Sequence, residues 1–101
     1  GRVYLVSPEG ELIGTTGVEG RAYGSALLAL KRPDEEGDLL LVGGRGVLRV
    51  FGPDRALIKE LSLPSDEVPT LAASQQRDPE GRYRVWVGLP NAGRVYQLGI
   101  K

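Results

Sequence analysis

The sequence predicts an all-β chain assembled from repeated antiparallel sheets, and two observations carry that prediction. The first is a glycine-led phrase that occurs three times, about 45 residues apart. It reads Gly1-Arg2-Val3-Tyr4-Leu5-Val6, then Gly46-Val47-Leu48-Arg49-Val50-Phe51, then Gly93-Arg94-Val95-Tyr96-Gln97-Leu98. The sequels of the first two also correspond: Pro8 with Pro53, Glu9 with Asp54, and Leu12-Ile13 with Leu57-Ile58. The second observation is the content between the phrases. Short β-branched and apolar runs alternate with Gly- and Pro-bearing turns, and no window carries a 3.6-residue period with caps at both ends. A repeat of roughly 40 to 50 residues with strand-like contents is the signature of a β-propeller blade of four antiparallel strands.

Each element follows from local chemistry. Arg2 to Val6 is rich in β-branched and aromatic residues and reads as a strand. Ser7-Pro8-Glu9-Gly10 is a turn, with Pro suited to its second position and Gly supplying positive φ. Glu11 to Thr16 is the return strand, and Gly17 to Gly24 a loop. Ala26 to Leu30 reads as a strand rather than part of a helix, because its repeat partner, Thr70 to Ser74, has no helical character. Arg32 to Gly37 is a polar turn. Leu39 to Val42 is an apolar strand, and Gly43-Gly44-Arg45-Gly46 a hairpin turn with glycines at positive φ. Val47 to Phe51 and Ala56 to Leu63 are strands joined by the turn Gly52 to Arg55. The second pass runs through strands at Thr70–Ser74, Tyr83–Val87 and Arg94–Gly99, with turns at Asp78–Gly81 and Leu89–Ala92.

Naming the strands of a blade A to D outward from the propeller axis, the chain reads C, D; A, B, C, D; A, B, C. That is about two blades plus a surplus strand in a single partial propeller domain over residues 1–101, with units near 1–16, 25–63 and 69–101. Strand B is apolar on both faces, with Arg84 the exception, as expected where sheets stack on either side. The expected core is Leu40, Val42, Leu48, Val50, Leu71, Val85, Trp86, Val87 and Val95. Trp86 is assigned to it because its counterpart is Leu41. Two such units leave apolar faces and strand edges open. The chain is therefore expected to self-assemble into a closed ring or to form part of a longer polypeptide.

Composition narrows the chemistry. The 101 residues carry 13 basic and 13 acidic side chains, giving zero formal charge, and the charges are interspersed. No basic block is available for a phosphate backbone, so nucleic acid is not an expected partner. Apolar runs such as Leu39-Leu40-Leu41-Val42 are too short for a helical membrane span. Cys, His and Met are absent. Ser-His and Cys-His catalysis and ordinary zinc sites therefore have no ligands or bases in this chain. No cofactor or metal is expected.

The unit from Ser25-Ala26-Leu27-Leu28-Ala29 through Gly37-Asp38-Leu39-Leu40-Leu41-Val42-Gly43 to Gly46-Val47-Leu48-Arg49-Val50-Phe51-Gly52-Pro53-Asp54 resembles the blades of NHL-repeat proteins and of the gluconolactonase/strictosidine-synthase-like group. The stretch Ala56 to Leu71 resembles the same group. The resemblance implies a propeller fold over nearly the whole chain. In the gluconolactonase-like enzymes a Glu, an Asn and an Asp hold a divalent metal at the channel mouth. Here Glu19, Asp66, Glu67 and Asn91 lie in loops facing that way, but none sits in a stretch matching the family motif, so no catalytic residue is carried over.

The candidate site is the rim where D–A loops and B–C turns emerge, since loops on a rigid scaffold are where such folds bind. It collects Glu19, Arg21, Tyr23, Arg45, Asp66, Glu67 and Asn91, all expected in solvated loops. Asp34-Glu35-Glu36 and Asp78-Pro79-Glu80 read as solvated turns, because their spacing does not match a calcium loop. The function expected is a binding or scaffolding module, not an enzyme, presenting this rim to a protein, peptide or glycan. The alternatives are a fragment of a metal-dependent propeller hydrolase or lyase, and an engineered or structural propeller fragment with no ligand.

Overall fold

A computed structural model describes residues 2–17, 26–32, 37–74 and 76–100. Nine strands run in chain order: β1 (Arg2–Val6), β2 (Leu12–Gly17), β3 (Ala26–Leu30), β4 (Leu39–Gly44), β5 (Val47–Phe51), β6 (Leu57–Ser62), β7 (Thr70–Ala73), β8 (Tyr83–Leu89) and β9 (Arg94–Ile100). One 3-10 turn, Pro90–Ala92, joins the last two. The strands form three antiparallel meanders: β1-β2, β3-β4-β5-β6 and β7-β8-β9. The third sheet thus has three strands among the described residues, not the four of a complete unit, and β9 is its edge.

The turns share one device. Gly10 and Gly81 sit at φ 85 and 79, each with its amide bonded back to the carbonyl three residues earlier, Ser7 and Asp78. Arg55 takes the equivalent place after Gly52 at φ 67. Left-handed backbone costs a side-chain-bearing residue about 1–2 kcal/mol, and Arg55 tolerates it at a position where the other two turns use glycine. Gly46 and Gly93, which lead the second and third copies of the repeated phrase, are also left-handed, at φ 73 and 66.

Register makes the second and third sheets equivalent. Leu27, Val42 and Arg49 pair across the second sheet as Leu71, Val87 and Tyr96 pair across the third. On the opposite faces, Leu28, Leu41 and Val50 correspond to Ala72, Trp86 and Gln97. Leu48, opposite Gly43, corresponds to Val95, opposite Gly88. Because strand side chains alternate, each row lies on one face of its sheet.

The core lies between those two sheets. Leu30, Leu39, Leu41, Leu48 and Val50 from the second close against Tyr83, Val85 and Val87 from the third, flanked by Leu28, Leu61, Leu71, Ala73, Tyr96 and Leu98. Burial here supplies the main folding drive. Gly43 allows the close approach of Pro69: a Cβ would stand 2.6 Å from the ring carbon Cγ. The first sheet lies toward the other face of the second, where the Arg55 guanidinium covers Gly14 so closely that a Cβ would meet Nη1 at 2.6 Å.

The expected core is partly corrected. Val42, Leu48, Val50, Val85 and Val87 are buried, and Leu40 and Leu71 are only half-buried. Trp86 and Val95 are exposed, at 37% and 71%. Their repeat counterparts Leu41 and Leu48 are both 0% exposed. The difference is the cover. The second sheet has the third packed on that face, whereas no described residue covers the same face of the third. Leu30, Leu39, Leu41, Phe51, Tyr83 and Leu89 complete the buried set.

Candidate functional site

Three connections converge at one end of the second and third sheets: the β4–β5 turn, the β6–β7 link and the β8–β9 turn. Each is fixed by backbone geometry first. Gly46 donates its amide to the Glu67 carbonyl at 3.0 Å, and its own carbonyl accepts the Leu63 amide at 2.9 Å. The Glu67 amide folds back to the Ser65 carbonyl at 3.0 Å. Pro90 starts the 3-10 turn, where it has no amide to satisfy, and Gly93 ends it in the left-handed conformation.

Glu67 joins these pieces. Its carboxylate accepts the Ser65 hydroxyl at 2.5 Å, the Asn91 amide at 2.9 Å and the Ala92 amide at 3.2 Å. It is the one charged residue buried among those described, at 6% exposure. The two amides belong to the first turn of the 3-10 segment, where free N–H groups favour a negative partner. The Ser65 hydroxyl, helped by the Asn91 and Ala92 amides, holds the carboxyl below its usual range, against the opposing pull of burial. Expected in a wet loop, Glu67 is instead a buried clamp between two sheets. Its three hydrogen bonds tie the β6–β7 link to the β8–β9 turn.

The clamp carries an exposed polar set. Arg45 and Asp66 form an ion pair, Nε to Oδ1 at 3.5 Å, with both side chains largely in water. Asn91 is exposed in the β8–β9 turn, its backbone amide held by Glu67. Of the seven rim candidates, Arg45, Asp66, Glu67 and Asn91 are thus brought together. Glu19, Arg21 and Tyr23 lie outside the described residues, as do Asp34, Glu35 and Glu36. What the rim offers is a cation, an anion and an amide on a pinned backbone. Among the described residues no three carboxylates converge as a metal site would require.

The role of Glu67 had one local sign, the spacing of Ser65 and Glu67 in a loop. Its other partners lie 24 and 25 residues away and carry no mark in the sequence.

At the opposite end, Asp78 closes the β7–β8 turn. Its Oδ1 accepts the Glu80 and Arg82 amides, each at 2.9 Å, and its Oδ2 accepts Arg84 Nε at 3.2 Å. The Arg82 amide foremost, with Arg84 and the Glu80 amide, lowers its carboxyl below the usual range against desolvation. The Arg77 guanidinium stacks 4.7 Å from the Tyr83 ring centre beside it. The oxygens a cation would use are committed to the turn itself.

No protein-family model, curated protein or solved structure matches this chain.

Proposed function

We propose that the chain is a binding module: a run of propeller-type blades whose rim, at the end carrying Arg45, Asp66 and Asn91, receives a protein, peptide or glycan. Support for the blade reading comes from the equivalent registers of the second and third sheets and from the stacking of one on the other. A single observation carries the binding reading. The buried Glu67 carboxylate ties the β6–β7 link to the β8–β9 turn, and the Glu67 carbonyl holds the β4–β5 turn. Loops pinned in this way present side chains at little conformational cost on binding. The exposed set of guanidinium, carboxylate and amide suits a neutral or mixed-charge polar ligand rather than a polyanion.

Peptide and glycan arrays probed with the labelled chain test this reading. The expected result is a ligand class whose binding falls at least tenfold in Arg45→Ala and Asp66→Ala, both at exposed positions. Binding that survives both substitutions, or no binding on either array, overturns it.

A further inference from the structure

The second and third sheets are equivalent in register but not in cover, and the two uncovered surfaces match each other. On the third sheet, the outer row of Ala72, Trp86, Gln97 and Val95 faces away from the core, and Arg84, ion-paired to Asp78, shares that face where the second sheet has Leu39. In the second sheet the equivalent row is Leu28, Leu41, Val50 and Leu48, and it receives the next sheet. The outer row is therefore built where a sheet is received.

The complementary surface lies at the other end of the chain. In the third sheet, Leu71 and Ala73 of β7 pack into the shared core. Their counterparts in β3 are Leu27 and Ala29. These two instead line a cavity of about 430 Å³, together with Tyr4, Leu40 and Phe51. Leu27 is 57% exposed. The first sheet carries two described strands, the counterparts of β5 and β6, and among the described residues no strand equivalent to β3 or β4 stands beside them. The strands able to fill it by the rule of this repeat are β7 and β8 of the third sheet.

We propose that a second copy of this chain docks head to tail, its outer third-sheet face seated on the Leu27–Ala29–Leu40 face of the first, with Trp86 directed to the cavity. One copy has the row that receives and the other has the row that is received, each in the register already used once inside the chain. The interface is heterologous, so both surfaces remain free at the ends of a dimer and growth closes into a ring or continues. The cavity lies in the range that admits a large organic group. The proposal rests on the equivalence of the second and third sheets, part of the blade reading above. It does not depend on what the rim binds, and Arg45→Ala and Asp66→Ala leave it untouched, so the two readings fail separately.

Trp86 is the sole tryptophan, so its emission reports the proposed interface directly. Sedimentation velocity and tryptophan emission are followed together as concentration rises, with Ala72→Lys altering one surface and Leu27→Lys the other. The wild type is expected to exceed monomer mass as its emission shifts to the blue. Each variant alone is expected to stay monomeric with unchanged far-ultraviolet circular dichroism. Mixed, the two are expected to form a 1:1 dimer and stop there, because each retains the surface the other lacks. Should Ala72→Lys fail to fold, Thr70→Lys on the same face replaces it. A wild-type monomer with water-exposed emission throughout overturns the proposal. So does association that persists in either variant, or a mixture that remains monomeric.

Discussion

Truncating Leu41 to alanine probes the core where two sheets meet. Its side chain is fully buried, on the middle strand of the second sheet, within the cluster shared with Tyr83, Val85 and Val87. Three carbons are removed, at about 0.8 kcal/mol each, a loss of roughly 2.4 kcal/mol in transfer free energy. The space left behind adds a cavity term, which places the total near 3–4 kcal/mol within the usual range of about 2–5. A domain of this length has about 5–15 kcal/mol to lose. Urea denaturation of dilute protein is the assay. At a slope of about 1–3 kcal/mol per molar, the midpoint should fall by roughly 1–4 M with the slope unchanged. Leu57→Ala, on a β6 side chain that is half exposed, is the matched control and should cost under about 1 kcal/mol. Equal costs at the two positions, or a cost below about 1 kcal/mol at Leu41, would refute a core centred between the second and third sheets.

Glycine substitutions separate backbone strain from crowding. Gly81→Ala and Gly93→Ala meet nothing within 4 Å, so each should cost only the left-handed penalty of roughly 1–2 kcal/mol in thermal or urea melts. Gly43→Ala drives a Cβ into the Pro69 ring, and its cost should come from overpacking, about 1–3 kcal/mol, with disturbed amide shifts on both sides of the β6–β7 link. The Glu67 clamp predicts a pH dependence. Its folded-state pKa lies below the ordinary 4.5, so its contribution is fully present above that pH and is lost as acid protonates it in the folded state. Stability measured from pH 7 downward should therefore fall less steeply below about pH 4.5 in Glu67→Gln than in the wild type, the two curves converging in acid. Asp66→Ala removes an exposed ion pair and should change stability by no more than about 1 kcal/mol in the same melts.

All nine strands were legible in the sequence, because the signals that place them are local. Alternating runs at Val47–Phe51 and Arg94–Ile100, and the turns at Ser7–Gly10 and Asp78–Gly81, need no distant partner to be recognised. The repeat then ordered the strands into groups of two, four and three. Coverage was not legible. Periodicity tells which residues share a face, and the match to Leu41 put Trp86 in the expected core although it is exposed. It does not tell whether anything lies on that face, and Val95 was misassigned to the core for the same reason. Leu40 shows the converse: it was ranked above Leu41, yet Leu41 points into the shared core and Leu40 toward the cavity. At the rim, spacing brought Arg45, Asp66, Glu67 and Asn91 to one end. The burial of Glu67 escaped notice because two of its three donors are backbone amides in the β8–β9 turn. Amides carry no side-chain signature, so such partners are found only once the strands are in place.

The equivalence of the second and third sheets underlies both the rim and the docking surfaces, and cross-strand proton–proton contacts measured by NMR test it most directly. The account predicts the row Ala72, Trp86, Gln97 across β7-β8-β9 and the row Leu28, Leu41, Val50 across β3-β4-β5, together with contacts between the second and third sheets around Leu41 and Val85. A register shifted by one residue in either sheet would turn every side chain of the shifted strand to the opposite face and contradict the account.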